Sequence, residues 1–91
     1  MSITLADVRA LAVRAYGPTA TVEWIPTCNG DRWDADLCVS WGEEIADGGQ
    51  PFGEVLVDDV LDSTREIERA HAEAARKLEA VIARNAAQRA A

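Results

Sequence analysis

Apolar and polar side chains alternate without a break between residues 32 and 41 (RWDADLCVSW), a period of two that is typical of a β-strand with one buried face. Residues 19–25 (TATVEWI) are rich in β-branched and aromatic types, which favour strands. Asn29-Gly30 lies between the two segments and is the strongest short signal for a hairpin turn. The sequence therefore predicts a β-hairpin.

The Asn29-Gly30 turn also predicts a register. Trp24 would face Ala35, and the apolar side chains of both strands would share one face of the sheet. Glu23 would face Asp36 on the other side, and like charges directly across a ladder cost stability. Folding alone does not require such a pair, so this face is a candidate for function.

Helical signals flank the hairpin. Thr4 is a good N-cap and Gly17 a good stop, which predicts a first helix at about residues 4–16. A third strand is expected at about 53–57, followed by an amphipathic helix at about 59–88. The order α-β-β-β-α is an α+β fold, with both helices on one face of a three-stranded antiparallel sheet. No linker divides the chain, so we expect a single domain.

The predicted second helix, which either Asp59 or Ser63 can cap, is too long for the predicted sheet. About 28 helical residues span roughly 42 Å, whereas a seven-residue strand covers about 23 Å. Either the first helix covers the far end within a monomer, or that end projects and joins a second copy or another partner. The apolar side chains concerned are Leu78, Val81 and Ile82.

The formal charge of −7 is unevenly placed. Residues 1–62 carry 12 acidic and 3 basic residues, whereas residues 63–91 carry 4 acidic and 6 basic ones. An acidic chain repels nucleic acid, so direct binding of DNA or RNA is not expected. The sequence has neither a signal peptide nor a membrane span, and we expect a cytoplasmic protein with no membrane partner.

No residues have the spacing of a catalytic or metal site. His71 falls on the apolar stripe of the second helix, where a packed histidine is the simplest interpretation. Cys28 and Cys38 lack a matching Cys/His set for zinc, and their acidic surroundings do not favour a reactive thiol. We therefore expect a protein that is not an enzyme and has no cofactor and no metal.

Three tryptophans, Trp24, Trp33 and Trp41, share the predicted inner face of the hairpin. The simplest interpretation places all three in the core. A tryptophan at a strand end, either Trp33 or Trp41, is alternatively half exposed and serves as an anchor for a partner.

Carboxylates are concentrated in the second strand, in the glycine-rich loop 42–51 and after the third strand. Two interpretations stay open. The acids either keep the surface solvated, or they dock onto a basic groove and compete there with nucleic acid. The residues of this predicted acidic surface are Asp34, Asp36, Glu43, Glu44, Asp47, Asp58 and Asp59.

The α-β-β-β-α order resembles the topology of double-stranded-RNA-binding domains, although Asp58, Asp59 and Asp62 stand where that family has a lysine-rich segment. In size and acidity, the chain resembles the small inhibitors of phages and mobile elements, anti-CRISPR proteins among them, and the immunity proteins that block toxin nucleases. This second resemblance implies a protein partner whose nucleic-acid site is covered by carboxylates.

Two functional hypotheses follow. The first is a non-catalytic inhibitor or modulator that presents its acidic surface to a basic site of a nucleic-acid-handling complex. The alternative is a structural or assembly subunit that self-associates through the long second helix.

Overall fold

The computed structural model describes residues 2–46 and 48–90, and this part of the chain forms two α-helices and a three-stranded antiparallel sheet. The predicted α+β class and the order α-β-β-β-α with a long C-terminal helix are confirmed. The elements are α1 (Leu5–Tyr16), β1 (Thr21–Asn29), β2 (Arg32–Trp41), β3 (Phe52–Leu61) and α2 (Thr64–Ala90).

A capping box starts α1 at the position that the sequence predicts. The side chain of Thr4 accepts the N–H of Asp7 at 3.2 Å, and the Asp7 carboxylate accepts the N–H of Thr4 at 2.9 Å. These hydrogen bonds hold the pKa of Asp7 below its usual value. At the other end, Gly17 stops the helix with a φ of 105°, a backbone angle that residues with a Cβ atom rarely adopt.

β2 lies between β1 and β3 and is antiparallel to both, so the third strand, whose pairing the sequence left open, forms an edge. In the hairpin, Asn29 pairs with Arg32. The two turn residues are therefore Gly30 and Asp31, and the predicted Asn29-Gly30 turn is wrong by one position. Gly30 provides the positive φ, 65°, that a tight hairpin turn requires.

Each β1 residue consequently faces the β2 residue two positions beyond the predicted one. Glu23 pairs with Cys38 and Ile25 pairs with Asp36, so the predicted pairing of Glu23 with Asp36 is wrong. A shift of two positions leaves every side chain on its predicted face, because side chains alternate with a period of two.

β3 is longer than the predicted strand at 53–57, because it continues through two irregularities to Leu61. Leu56 is an extra residue in β3, because its neighbours Val55 and Val57 pair with Cys38 and Leu37, which are adjacent in β2. Asp58 and Asp59 together lie opposite Asp36. Such bulges bend an edge strand and increase its twist.

α2 begins at Thr64, and the prediction that it begins at about residue 59 is wrong. The acidic pair before residue 60 belongs to β3. Ser63 provides the cap: its Oγ accepts the N–H of Glu66 at 3.2 Å, and its carbonyl accepts the N–H of Ile67 at 2.9 Å. Of the two predicted caps, Ser63 is therefore the correct one.

Both helices pack on the inner face of the sheet and enclose one core with it. α1 packs against α2. Near the C-terminal end of α1, the carbonyl of Ala15 accepts a hydrogen bond from Nδ2 of Asn85 in α2 at 2.9 Å. The largest fully buried side chains come from both helices and two strands: Val8, Val22, Leu37, Val39 and Leu78.

The prediction that α2 projects at Leu78 is wrong. Leu78 is fully buried, at 0% exposure, and Val81 and Ile82 are partly buried against the core. α1 provides this cover because it packs along the same part of α2. The alternative in which the first helix covers the far end of the second within a monomer is the one observed.

Basic side chains from the helices bind both edges of the sheet. On β1, the Nε of Arg9 donates to the carbonyl of Val22 at 3.2 Å. On β3, the Nζ of Lys77 donates to the carbonyl of Leu56, the bulge residue. Pro26, which has no N–H to donate, lies within β1.

Candidate protein-interaction surface

The two helices leave the opposite face of the sheet uncovered. We call it the outer face. Ile25 and Val55 are 49% and 48% exposed there. The strands contain a single basic residue, Arg32, which stands at the hairpin end. The residues that define the outer face are Glu23, Ile25, Asp36, Cys38 and Val55.

Asp36 also has a structural role on the outer face. Its Oδ1 accepts the N–H of Asp59 at 3.0 Å. Asp59 has a φ of 52°, in the left-handed region, which aspartate tolerates better than most residues do. Asp36 therefore holds the β3 bulge in place, because it provides an acceptor at the point where the regular pairing is interrupted.

The loop that carries Glu43 and Glu44 is tied to the start of β1. The N–H of Gly42 donates to Thr19 Oγ1 at 3.0 Å, and Gln50 Nε2 donates to the Thr19 carbonyl at 2.6 Å. Both glutamates are exposed. We call Glu43 and Glu44 the loop acids; the contacts of Thr19 anchor the loop at Gly42 before them and at Gln50 after them.

The predicted acidic surface is not one compact patch. Asp36 lies five residues before Trp41, the end of β2, which corresponds to roughly 17 Å at strand spacing, and Glu43 follows in the loop. The acids therefore form two groups: Asp36 and the exposed Asp59 at the bulge within the sheet, and the loop acids beyond the end of β2. A partner that contacts both groups must span that distance.

Two predicted members of this surface, Asp34 and Asp58, stand apart from both groups. Asp34 is only 5% exposed. Asp58 is exposed, but it lines a groove between β3 and α2 in which basic and acidic side chains of α2 alternate. Asp47 lies outside the described residues.

Sequence reasoning identified Trp33 as a candidate anchor but missed the cleft beside it. This cleft has a volume of about 260 Å³ and lies at the hairpin end of the inner face. Pro26, Ala35 and Val60 pair across the three strands and form its floor. Trp24 and Trp33 flank that row, and Trp33 is 68% exposed. The sequence alone does not show this row between two tryptophans, because the pairing register of the three strands decides which residues are neighbours.

The other two tryptophans belong to the core, as the simplest interpretation predicts. Trp41 stacks on Tyr16, with ring centroids 3.9 Å apart and planes 9° from parallel. Trp24 is partly buried and lies 5.9 Å from the ring of His71. The Nε2 atom of His71 is buried without a hydrogen-bond partner among the described residues.

The two cysteines are free thiols that differ in exposure. Burial raises the pKa of Cys38, and the negative charge of Asp36 raises it further. Since the thiolate is the reactive form, we expect iodoacetamide at pH 8 to modify the exposed Cys28 faster than Cys38. Peptide mass spectrometry over time measures both rates, and in denaturant the two rates should converge. Faster modification of Cys38 in the folded protein would contradict this assignment.

Within residues 2–46 and 48–90, no group of three or more His, Cys, Asp or Glu side chains is placed to hold a metal ion. In the same part of the chain, no helix has the length and apolar character needed to cross a bilayer.

Comparison with known proteins identified no relative: no protein family, curated protein or solved structure significantly matches the chain. Inference about function therefore rests on the geometry and charge of the surfaces described above.

Proposed function

We propose that this protein is a non-catalytic inhibitor or modulator that binds another protein. Its outer face and loop acids occupy a basic site of a nucleic-acid-handling complex and exclude the nucleic acid from it. The observation that carries the proposal is the segregation of charge. Residues 16–64, which include the whole sheet, contain 11 acidic residues and a single basic one, Arg32.

The position of the basic residues supports the same proposal. Apart from Arg32, all of them belong to the two helices, which pack on the inner face. An encounter with a basic groove is therefore steered towards one side of the molecule, because the opposite side is weakly basic. The anchored ends of the loop add to this effect, since a backbone that is already held loses less conformational freedom on binding.

Self-association through α2 is the weaker alternative. Leu78, the first residue of that proposed contact, is fully buried in the monomer and cannot reach a second copy without unfolding. Val81 and Ile82 are already partly buried against the core.

A pull-down with two matched variants tests the proposal. Glu43→Lys/Glu44→Lys reverses the loop acids, and Glu68→Lys/Glu79→Lys reverses two exposed acids of α2 with the same change in net charge. We expect the wild type and the α2 variant to capture a nucleic-acid-binding complex at low salt and release it at high salt. The loop variant should capture about tenfold less, because each reversed carboxylate adds repulsion from a basic site.

Occlusion needs a second measurement on the captured complex. Wild-type protein should displace a labelled DNA or RNA from it in a gel-shift assay, whereas the loop variant should not. Equal capture by the loop and α2 variants would contradict the role of the loop acids. Simultaneous binding of the protein and the nucleic acid would contradict occlusion.

A further inference from the structure

The cleft beside Trp33 has a shape and a charge that the acidic surface alone does not explain. It lies where neither helix covers the inner face, because α2 begins only at Thr64 and its first inward side chain at the cleft is Ile67. Most of its lining is apolar. An uncovered tryptophan beside an apolar floor is typical of the central contact of a protein interface.

The size of the cleft limits what can fill it. Pockets for drug-sized ligands are usually about 300–1,000 Å³, and this one is about 260 Å³ and open to solvent. It therefore suits a single long side chain of a partner better than a free ligand.

The charge of the cleft selects among long side chains. Among the described side chains that line it, the exposed Asp62 at the rim provides a carboxylate and none is a lysine or an arginine. The faces of Trp24 and Trp33 attract cations as well, because the ring quadrupole is negative above the plane. An apolar stem with a positive, planar end group meets all of these features, and arginine has this combination.

We propose that the cleft receives an arginine side chain of the basic partner. Its methylene groups lie over Ala35 and Val60, and its guanidinium group stacks on Trp33 and faces Asp62. This inference rests on the proposed function, because it assumes a basic protein as the partner. It adds an anchoring pocket on the inner face, away from the loop acids.

The test uses a tri-arginine peptide, and a tri-citrulline peptide of the same shape without charge, as probes of the ¹⁵N-labelled protein by NMR. The indole N–H signals report on each tryptophan separately. We expect tri-arginine to shift the signals of Trp24 and Trp33 saturably and to leave that of Trp41 in place. Tri-citrulline should bind at least about fivefold more weakly, which corresponds to the loss of one cation–π contact.

Two single substitutions give matched variants. Trp33→Ala should weaken tri-arginine binding about fivefold, followed through the backbone amides of Ala35 and Ile67. Trp33→Phe should restore part of the affinity, because it keeps an aromatic face. Phe52→Ala removes another exposed aromatic residue, at the far end of the sheet, and should leave the affinity unchanged.

Two outcomes would overturn the arginine pocket. One is a set of shifts confined to the amides around Glu43, Glu44 and Asp59, which would leave the proposed function standing on its acidic surface. The other is equal binding of tri-citrulline, which would make the cleft a purely apolar contact. The proposed function itself is tested by the pull-down and not by these peptides. Equal capture of the nucleic-acid-binding complex by the loop and α2 variants would contradict it.

Discussion

Replacing Leu78 with alanine is expected to lower the free energy of unfolding by about 2–5 kcal/mol. Leu78 is fully buried where α1, α2 and the sheet meet, so the substitution removes buried methyl groups and leaves a cavity that the surrounding elements fill only in part. Chemical denaturation followed by circular dichroism measures the change, and the slope of the transition should stay the same.

Leu61→Ala is the control, because it removes the same atoms at a site that is 40% exposed. Its cost should be about 1 kcal/mol or less, since part of that surface is in water already. The oligomeric mass should be the same for both variants in light scattering. A stable Leu78→Ala variant that loses a dimer present in the wild type would contradict the buried position and favour self-association through α2.

Replacing Asp36 with alanine is expected to cost about 1–2 kcal/mol of folding free energy. The N–H of Asp59 would lose the acceptor that it now has at 3.0 Å, while the backbone there would still have to adopt a left-handed conformation. The value stays in the lower part of the range for charge-assisted hydrogen bonds, because Asp59 is exposed and water can replace part of the contact. Denaturant titration at pH 7 measures it.

Two further variants distinguish loss of the bulge contact from loss of charge. Glu23→Ala removes a carboxylate from the same face without touching the bulge, and we expect its effect to stay within about 0.5 kcal/mol. Adding Asp59→Gly to Asp36→Ala should recover part of the stability, because glycine adopts positive φ without strain. If Asp36→Ala and Glu23→Ala cost the same, the structural role of Asp36 is refuted.

The hairpin shows how much alternation alone determines. The predicted bounds of β2 agree with the structure, and the two-position shift of register keeps the predicted faces, although the turn is displaced by one residue. Gly30 provides a positive φ in either turn, so local sequence could not distinguish the two. The difference lies in cross-strand pairing, which a single strand does not encode.

β3 was predicted too short for a related reason. A bulge interrupts the period of two by which a strand is recognised. Asp58-Asp59 also has the composition of a helix start, so the sequence pattern indicates a strand end before residue 58. The carboxylate of Asp36, from the neighbouring strand, accepts the N–H of Asp59 and so supports its left-handed backbone. The acids of the candidate surface were recognisable as residues, but their separation into two groups and the burial of Asp34 depend on such long-range contacts.

The basic side chains on the two edges have a consequence for recognition. Many small sheet domains capture an extended peptide as an additional strand, through main-chain hydrogen bonds that depend little on sequence. Here Arg9 and Lys77 occupy edge carbonyls, Pro26 lacks a donor and the bulges bend β3, so both edges oppose strand addition. Any partner of the sheet would therefore be selected by side-chain chemistry, and the same features oppose edge-to-edge aggregation.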